Sequence, residues 1–162
     1  MGPVGGTSAN GWKIIGTGVT FGCGIKQDNK LWCWGDNNWG NLAIGPSYDT
    51  AHSAVPSTDT SSWKTISVRG TISCAIRFDD TLWCWGNNYA GQLGVGDLNP
   101  RDVPTEISGG GSWKYVGVGE ESACGIKAND TLWCWGAGSE GTLGNGANAD
   151  EVAPVVVSGG AT

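Results

Sequence analysis

Three near-copies of one pattern occupy almost the whole chain. Trp12-Lys13-Ile14-Ile15 returns as Trp63-Lys64-Thr65-Ile66 and again as Trp113-Lys114-Tyr115-Val116. Leu31-Trp32-Cys33-Trp34-Gly35 returns as Leu82-Trp83-Cys84-Trp85-Gly86 and as Leu132-Trp133-Cys134-Trp135-Gly136. Each return falls 51 and then 50 residues on, and nine of the ten tryptophans and all six cysteines lie on the pattern. A period near 50 residues marks supersecondary units that bury one another in a row rather than around one central core. The repeat divides the 162-residue chain into a leader, 1–11, and three units, 12–62, 63–112 and 113–162.

Within each unit the apolar spacing is that of strands. From Phe21 to Trp34 it has period two, interrupted by Gln27-Asp28-Asn29 as a turn would interrupt it. Folding about Asp28 sets Cys23 opposite Cys33, Gly24 opposite Trp32 and Gly22 opposite Trp34. Folding about Asp79 pairs Cys74 with Cys84, and folding about Asn129 pairs Cys124 with Cys134. In every copy a tryptophan then faces Gly, Ala or Ser, which leaves room for an indole to lie across the strand. One register accounts for all three copies, and a helix accounts for none. The Trp-Lys segment supplies a further strand. Val55-Pro56, Val103-Pro104 and Ala153-Pro154 suit an outer edge, where a missing amide is tolerated. Four short antiparallel strands per repeat describe an all-β chain of three β-propeller blades. A parallel solenoid would need a shorter coil period and would not favour tight hairpins.

The segment from Asp80 to Asp97, with Leu82-Trp83-Cys84-Trp85-Gly86-Asn87-Asn88-Tyr89-Ala90-Gly91-Gln92-Leu93-Gly94 at its centre, resembles the repeat of the regulator of chromosome condensation family, as does Val103-Pro104 after it. The resemblance spans about 12–162. The first copy departs from it at Asn41-Leu42-Ala43, and the third reads Gly141-Thr142-Leu143-Gly144. The family's propellers have seven blades, so the resemblance implies three blades completed by oligomerisation or belonging to a larger propeller. It also implies a loop-bearing disc that binds another macromolecule. Known members include an exchange factor for a Ran-type GTPase that docks on nucleosomes, a secreted inhibitor of β-lactamases and a plant UV-B receptor with clustered tryptophans. Fold likeness alone selects none of these roles.

The chemistry-bearing residues narrow the choice. Nine Lys+Arg against fifteen Asp+Glu give a net charge of −6, which disfavours nucleic acid and anionic membrane surfaces as partners. No apolar run reaches the roughly 20 residues of a membrane-spanning helix. The hairpin register places each cysteine pair within disulfide reach, so Cys23–Cys33, Cys74–Cys84 and Cys124–Cys134 are expected to be bridged, with buried thiols or a metal as the weaker readings. No C-x-x-C knuckle is present, and His52 is the only histidine. Three disulfides place the chain in an oxidising compartment, extracellular or periplasmic. No metal, cofactor or catalytic set is expected, because the acids lack calcium-loop spacing and His52 has no repeated companion. Repeated tryptophans read as packing between blades. Trp39 and Tyr89 stand in loops where no repeat demands an aromatic, and are the candidate ligand contacts. Asn129-Asp130-Thr131 is a sequon at a hairpin tip, which makes Asn129 a possible glycosylation site.

The expected function is a non-catalytic binding or assembly module, with a protein or a second copy of the chain as partner. The alternative is a carbohydrate-binding lectin with Trp39 and Tyr89 as sugar platforms. Three blades cannot close a ring alone, and copies one and three keep the apolar pattern of copy two. The leader's Pro3-Val4 and Gly6 resemble the blade-ending Pro154-Val155 and Gly159-Gly160, as though a preceding blade had been cut away or must be supplied by another chain. A dimer making a six-bladed ring is therefore expected, with a head-to-tail filament as the second possibility and a chain excised from a longer propeller as the alternative to association.

Overall fold

The computed structural model describes residues 10–159; most of the leader 1–11, including Pro3-Val4 and Gly6, lies outside them, as does Gly160. The described chain is all β but for one short 3₁₀ turn at Ser139–Gly141. Twelve strands form three four-stranded sheets. The first holds β1 (Trp12–Thr17), β2 (Phe21–Lys26), β3 (Leu31–Gly35) and β4 (Ala51–Pro56). The second holds β5 (Trp63–Arg69), β6 (Ile72–Arg77), β7 (Leu82–Gly86) and β8 (Arg101–Glu106). The third holds β9 (Trp113–Val118), β10 (Ser122–Lys127), β11 (Leu132–Gly136) and β12 (Glu151–Val156). Each sheet is a meander in chain order, and the proline-bearing strands β4, β8 and β12 lie at one edge.

The central hairpins have the register read from the sequence. Cys23 lies opposite Cys33, Cys74 opposite Cys84 and Cys124 opposite Cys134, with tryptophans opposite Gly, Ala or Ser. The turns explain why. Lys26 O accepts from Asn29 N at 2.9 Å, and Asn29 takes a φ of 64°; Asp80 and Asp130 do the same at 65° and 67°. This is a three-residue hairpin loop ending in a left-handed residue, a conformation Asn and Asp tolerate better than other side chains. Each first strand adds a device the period-two pattern does not show. The pairing with the second strand shifts register between Trp12 and Ile14 and between Trp63 and Thr65, and β9 shifts likewise. Residues three apart on a regular strand face opposite ways, but the bulge puts Trp63 and Ile66 together in one core. The lysine at the bulge turns outward to the hairpin tip: Lys13 donates to Asn29 at 2.8 Å, Lys64 pairs with Asp80 at 2.7 Å and Lys114 with Asp130 at 2.5 Å.

Consequently each sheet has two unlike faces. One carries the cysteines with Ile and Leu; the other carries the tryptophans. The Cys-Ile-Leu face of the first sheet packs on Trp63, Ile66, Ala75 and Trp85 of the second. The same face of the second packs on Trp113, Val116, Ala123 and Trp135 of the third. The core is therefore two seams between sheets.

Candidate functional site: an aromatic cleft on the loop face

Each seam is closed by a loop that leaves the third strand of one sheet and reaches the next. Two buried asparagines hold these loops in shape. Asn37 accepts from Leu42 N at 2.9 Å and donates to Ser47 O; Asn88 accepts from Leu93 N at 2.9 Å and donates to the carbonyls of Asp97 and Asn99 at 2.8 and 3.0 Å. Buried amides satisfied on both sides stiffen a loop that has no ladder of its own. At Gly40, φ is 77° and an added Cβ would stand 2.4 Å from Asp102 Cα, so only glycine lets the first loop rest on β8.

This docking brings Trp39 and Tyr89 together. Their ring centroids are 5.1 Å apart at an interplanar angle of 82°, an edge-to-face pair across the first seam. Trp39 is half-buried and Tyr89 exposed. Beside them opens a cleft of about 370 Å³ whose walls include Asn38, Ser47, Tyr48 and Asp102. Tyr48 is 78% exposed, a third aromatic that sequence reading missed; its signal was an unrepeated aromatic in the loop Pro46-Ser47-Tyr48-Asp49. Between the lining residues Pro100 and Asp102, Arg101 pairs with Asp97 at 2.7 Å. The Arg101 guanidinium and the Asn99 amide hold the Asp97 carboxyl below its usual range. Ala90 and Ser139 occupy the positions of Trp39 and Tyr89 at the second seam, which closes without them. The aromatic pair is not a packing requirement.

The remaining candidates lie elsewhere. All six cysteines are bridged, Cys23–Cys33, Cys74–Cys84 and Cys124–Cys134, with Cα separations of 4.0–4.1 Å. Asn129 is exposed at its hairpin tip, where its side-chain oxygen accepts from the Thr131 hydroxyl at 2.6 Å. His52 is exposed at the edge of the first sheet. Among the described residues no group of three or more His, Cys, Asp or Glu could hold a metal ion. No helix of the described chain is long and apolar enough to cross a membrane.

The tryptophans do more than fill seams. In each sheet a cation sits by two indoles: Lys26 over Trp32 at 3.4 Å and Trp12 at 5.3 Å, Arg77 over Trp83 at 3.5 Å and Trp63 at 4.9 Å, and Lys127 over Trp133 at 4.3 Å and Trp113 at 5.0 Å. Arg77 also pairs with Asp59 at 2.5 Å. Burial works against the Asp59 charge, but hydrogen bonds from Ser61 and the Arg77 guanidinium outweigh it and lower the pKa.

Comparison with known proteins agrees with this fold. Residues 79–126 and 12–40 match models of the regulator of chromosome condensation (RCC1) repeat. The probable E3 ubiquitin-protein ligase HERC4 of Homo sapiens is 26% identical over 92 residues, covering 56% of this chain and 9% of that protein. The ultraviolet-B receptor UVR8 of Arabidopsis thaliana is 26% identical over 96 residues, covering 59% of this chain and 22% of the receptor. Among solved structures, yeast RCC1 (Prp20) bound to Kap60 superposes with a TM-score of 0.82 at 20% identity, over 93% of this chain and 38% of that one. Human WBSCR16 superposes with a TM-score of 0.80 at 21% identity, over 91% and 38%. The chain thus spans under a quarter of these sequence relatives and about two-fifths of the structural ones.

Proposed function

Because the chain is built of repeats of the regulator of chromosome condensation type, folded as consecutive propeller blades, we propose that it is a non-catalytic binding and assembly module. The units 12–62, 63–112 and 113–162 act as its blades, and the loop face at the first seam takes a protein ligand. The observation that carries this reading is the Trp39–Tyr89 pair, whose positions at the second seam are held by Ala90 and Ser139. Clustered exposed aromatics beside polar groups are the usual anchors of protein interfaces. Protein binding also suits the relatives: Prp20 was solved with Kap60, and its binding to Gsp1p and histones has been described. The net charge of −6 argues against a nucleic-acid ligand. The three disulfides support work outside the reducing cytosol, and non-reducing peptide mapping that found six free thiols or a bridge between blades would remove that support.

The second reading is a lectin, favoured by the flat aromatic faces of Trp39 and Tyr89 beside Asn38 and Asp102, which suit stacking on a sugar and bonding to its hydroxyls. A displayed-peptide library and a glycan array, each probed with the native chain and with a Trp39→Ala, Tyr89→Ala double variant, separate the two. Peptides bound at least tenfold more weakly by the variant support the protein reading. Saccharides lost in the same way support the lectin. Binding that the double variant leaves intact would contradict both.

A further inference from the structure

Each blade sets one of its own cations against two indoles. In the first, Lys26 Nζ lies 3.4 Å from the ring centroid of Trp32 and 5.3 Å from that of Trp12. Arg77 meets Trp83 and Trp63 in the same way, and Lys127 meets Trp133 and Trp113. The face of an aromatic ring is the negative part of its quadrupole, so a cation gains from every ring it touches while its methylene stem covers apolar surface. In each of these stacks the chain supplies both rings and charge.

The loop-face cleft has rings of the same kind and a different charge. Trp39, Tyr48 and Tyr89 line it, the first and last at 82° to each other. Among the described residues the cation–ring contacts are those of Lys13, Lys26, Arg77 and Lys127, and none is with these three rings. No Lys, Arg or His lines the cleft. Arg101 stands between two lining residues, but its guanidinium is bound by the Asp97 carboxylate and the Asn99 carbonyl, each at 2.7 Å. The half-buried Asp102 lines the cleft with a carboxylate that has no hydrogen bond or ion pair among the described residues. Asp49, exposed next to Tyr48, adds a second acid. The walls are thus aromatic and negative, and all of them come from the loops of the first two blades.

We propose that this cleft seats a basic side chain of the protein ligand, a lysine or arginine on an exposed segment, against Trp39, Tyr48 and Tyr89 with Asp102 as its counter-charge. Rings set nearly at right angles cannot both stack on one flat group. A charged head on a flexible stem can meet both, as Arg77 meets Trp83 at 3.5 Å and Trp63 at 4.9 Å. A volume of about 370 Å³ is at the small end for ligand sites and suits one side chain. The net charge of −6 draws a basic segment towards the chain. The second seam, with Ala90 and Ser139 in place of the rings, has no such site. This inference rests on the protein-ligand reading above and names the residue class that anchors the ligand.

The test titrates N-acetyl-arginine methylamide, and its citrulline counterpart of the same shape without the charge, into the native chain while NMR follows the indole signals. The arginine compound should shift the Trp39 signal saturably, and the citrulline compound should bind about tenfold more weakly. Asp102→Asn keeps the size of the side chain and breaks no bond; it should weaken the arginine compound about fivefold and leave the citrulline compound unchanged. Tyr89→Phe keeps the ring and should bind as the native chain does, whereas Tyr89→Ala should lose most of the affinity. Equal affinity for the two compounds, no saturable shift of Trp39 with either, or an Asp102→Asn variant that binds like the native chain overturns the proposal. Library peptides that depend on the Trp39–Tyr89 pair but carry no basic residue also overturn it and leave the protein-ligand reading standing. Peptide binding that survives in the double variant removes both.

Discussion

At the first seam the loop that reaches the second blade carries Asn41 and Ala43; at the second seam the equivalent loop carries Gln92 and Gly94. Both deliver a carbonyl to a buried indole at 3.0 Å, and both turn through the left-handed region, at φ 56° for Ala43 and 68° for Gly94. Over those matching supports the surfaces diverge. The first seam presents Trp39, Tyr48 and Tyr89 around a cleft; the second presents Ala90, Ser139 and an exposed Glu140. The scaffold repeats because a blade has no other way to bury its tryptophans. The loop surface is free to differ because nothing below depends on it.

The sharpest way to break the comparison is to remove an indole. Trp85→Ala should destabilise the chain by about 3–5 kcal/mol in denaturant melts, with Trp135→Ala similar, because each leaves a large cavity in a seam. Trp34→Ala, at the same repeat position but only half-buried, should cost less in the same melts. Gly94→Ala comes next. Its Cβ would stand 2.8 Å from the Trp135 indole at a φ of 68°, so a loss of about 2 kcal/mol is expected.

Smaller effects separate the blades themselves. Asp59 has a pKa lowered in the fold, so its pairing with Arg77 contributes fully above the unfolded value of about 3.9 and is lost as pH falls through the folded one. Asp59→Asn should therefore cost about 1 kcal/mol near neutrality, and nothing once the pH lies below the folded pKa, as read from melts against pH. In the second and third blades the indoles of Trp83 and Trp133 donate to Thr81 and Thr131 at 2.8 Å, whereas the buried Trp32 Nε1 lacks a partner among the described residues, and Lys30 stands where the threonines stand. Lys30→Thr should stabilise the first blade by about 0.5–1 kcal/mol.

The hairpin registers were legible in the sequence because two independent signals coincide there, the cysteine spacing and an Asn or Asp able to close the turn with positive φ. The two-faced sheets were not, because the bulge at Lys13, Lys64 and Lys114 breaks period two at the position that decides which way Trp and Ile point. The cation–indole stacks leave a plain repeat, Lys26, Arg77 and Lys127, but tryptophans in register read as packing between blades. Trp39 and Tyr89 could each be singled out as unrepeated aromatics. Their contact could not, since Trp39 aligns with Ala90 and Tyr89 with Asn38, and the pair forms only when loops of successive blades meet across a seam.

That separation of supporting seams from a variable loop surface is tested most directly by the unfolding free energy of the Trp39→Ala, Tyr89→Ala double variant, measured beside Trp85→Ala. The double variant should match the native chain within about 0.5–1 kcal/mol, while Trp85→Ala loses several. A loss in the double variant as large as that of Trp85→Ala would make the aromatic pair part of the seam and contradict the account.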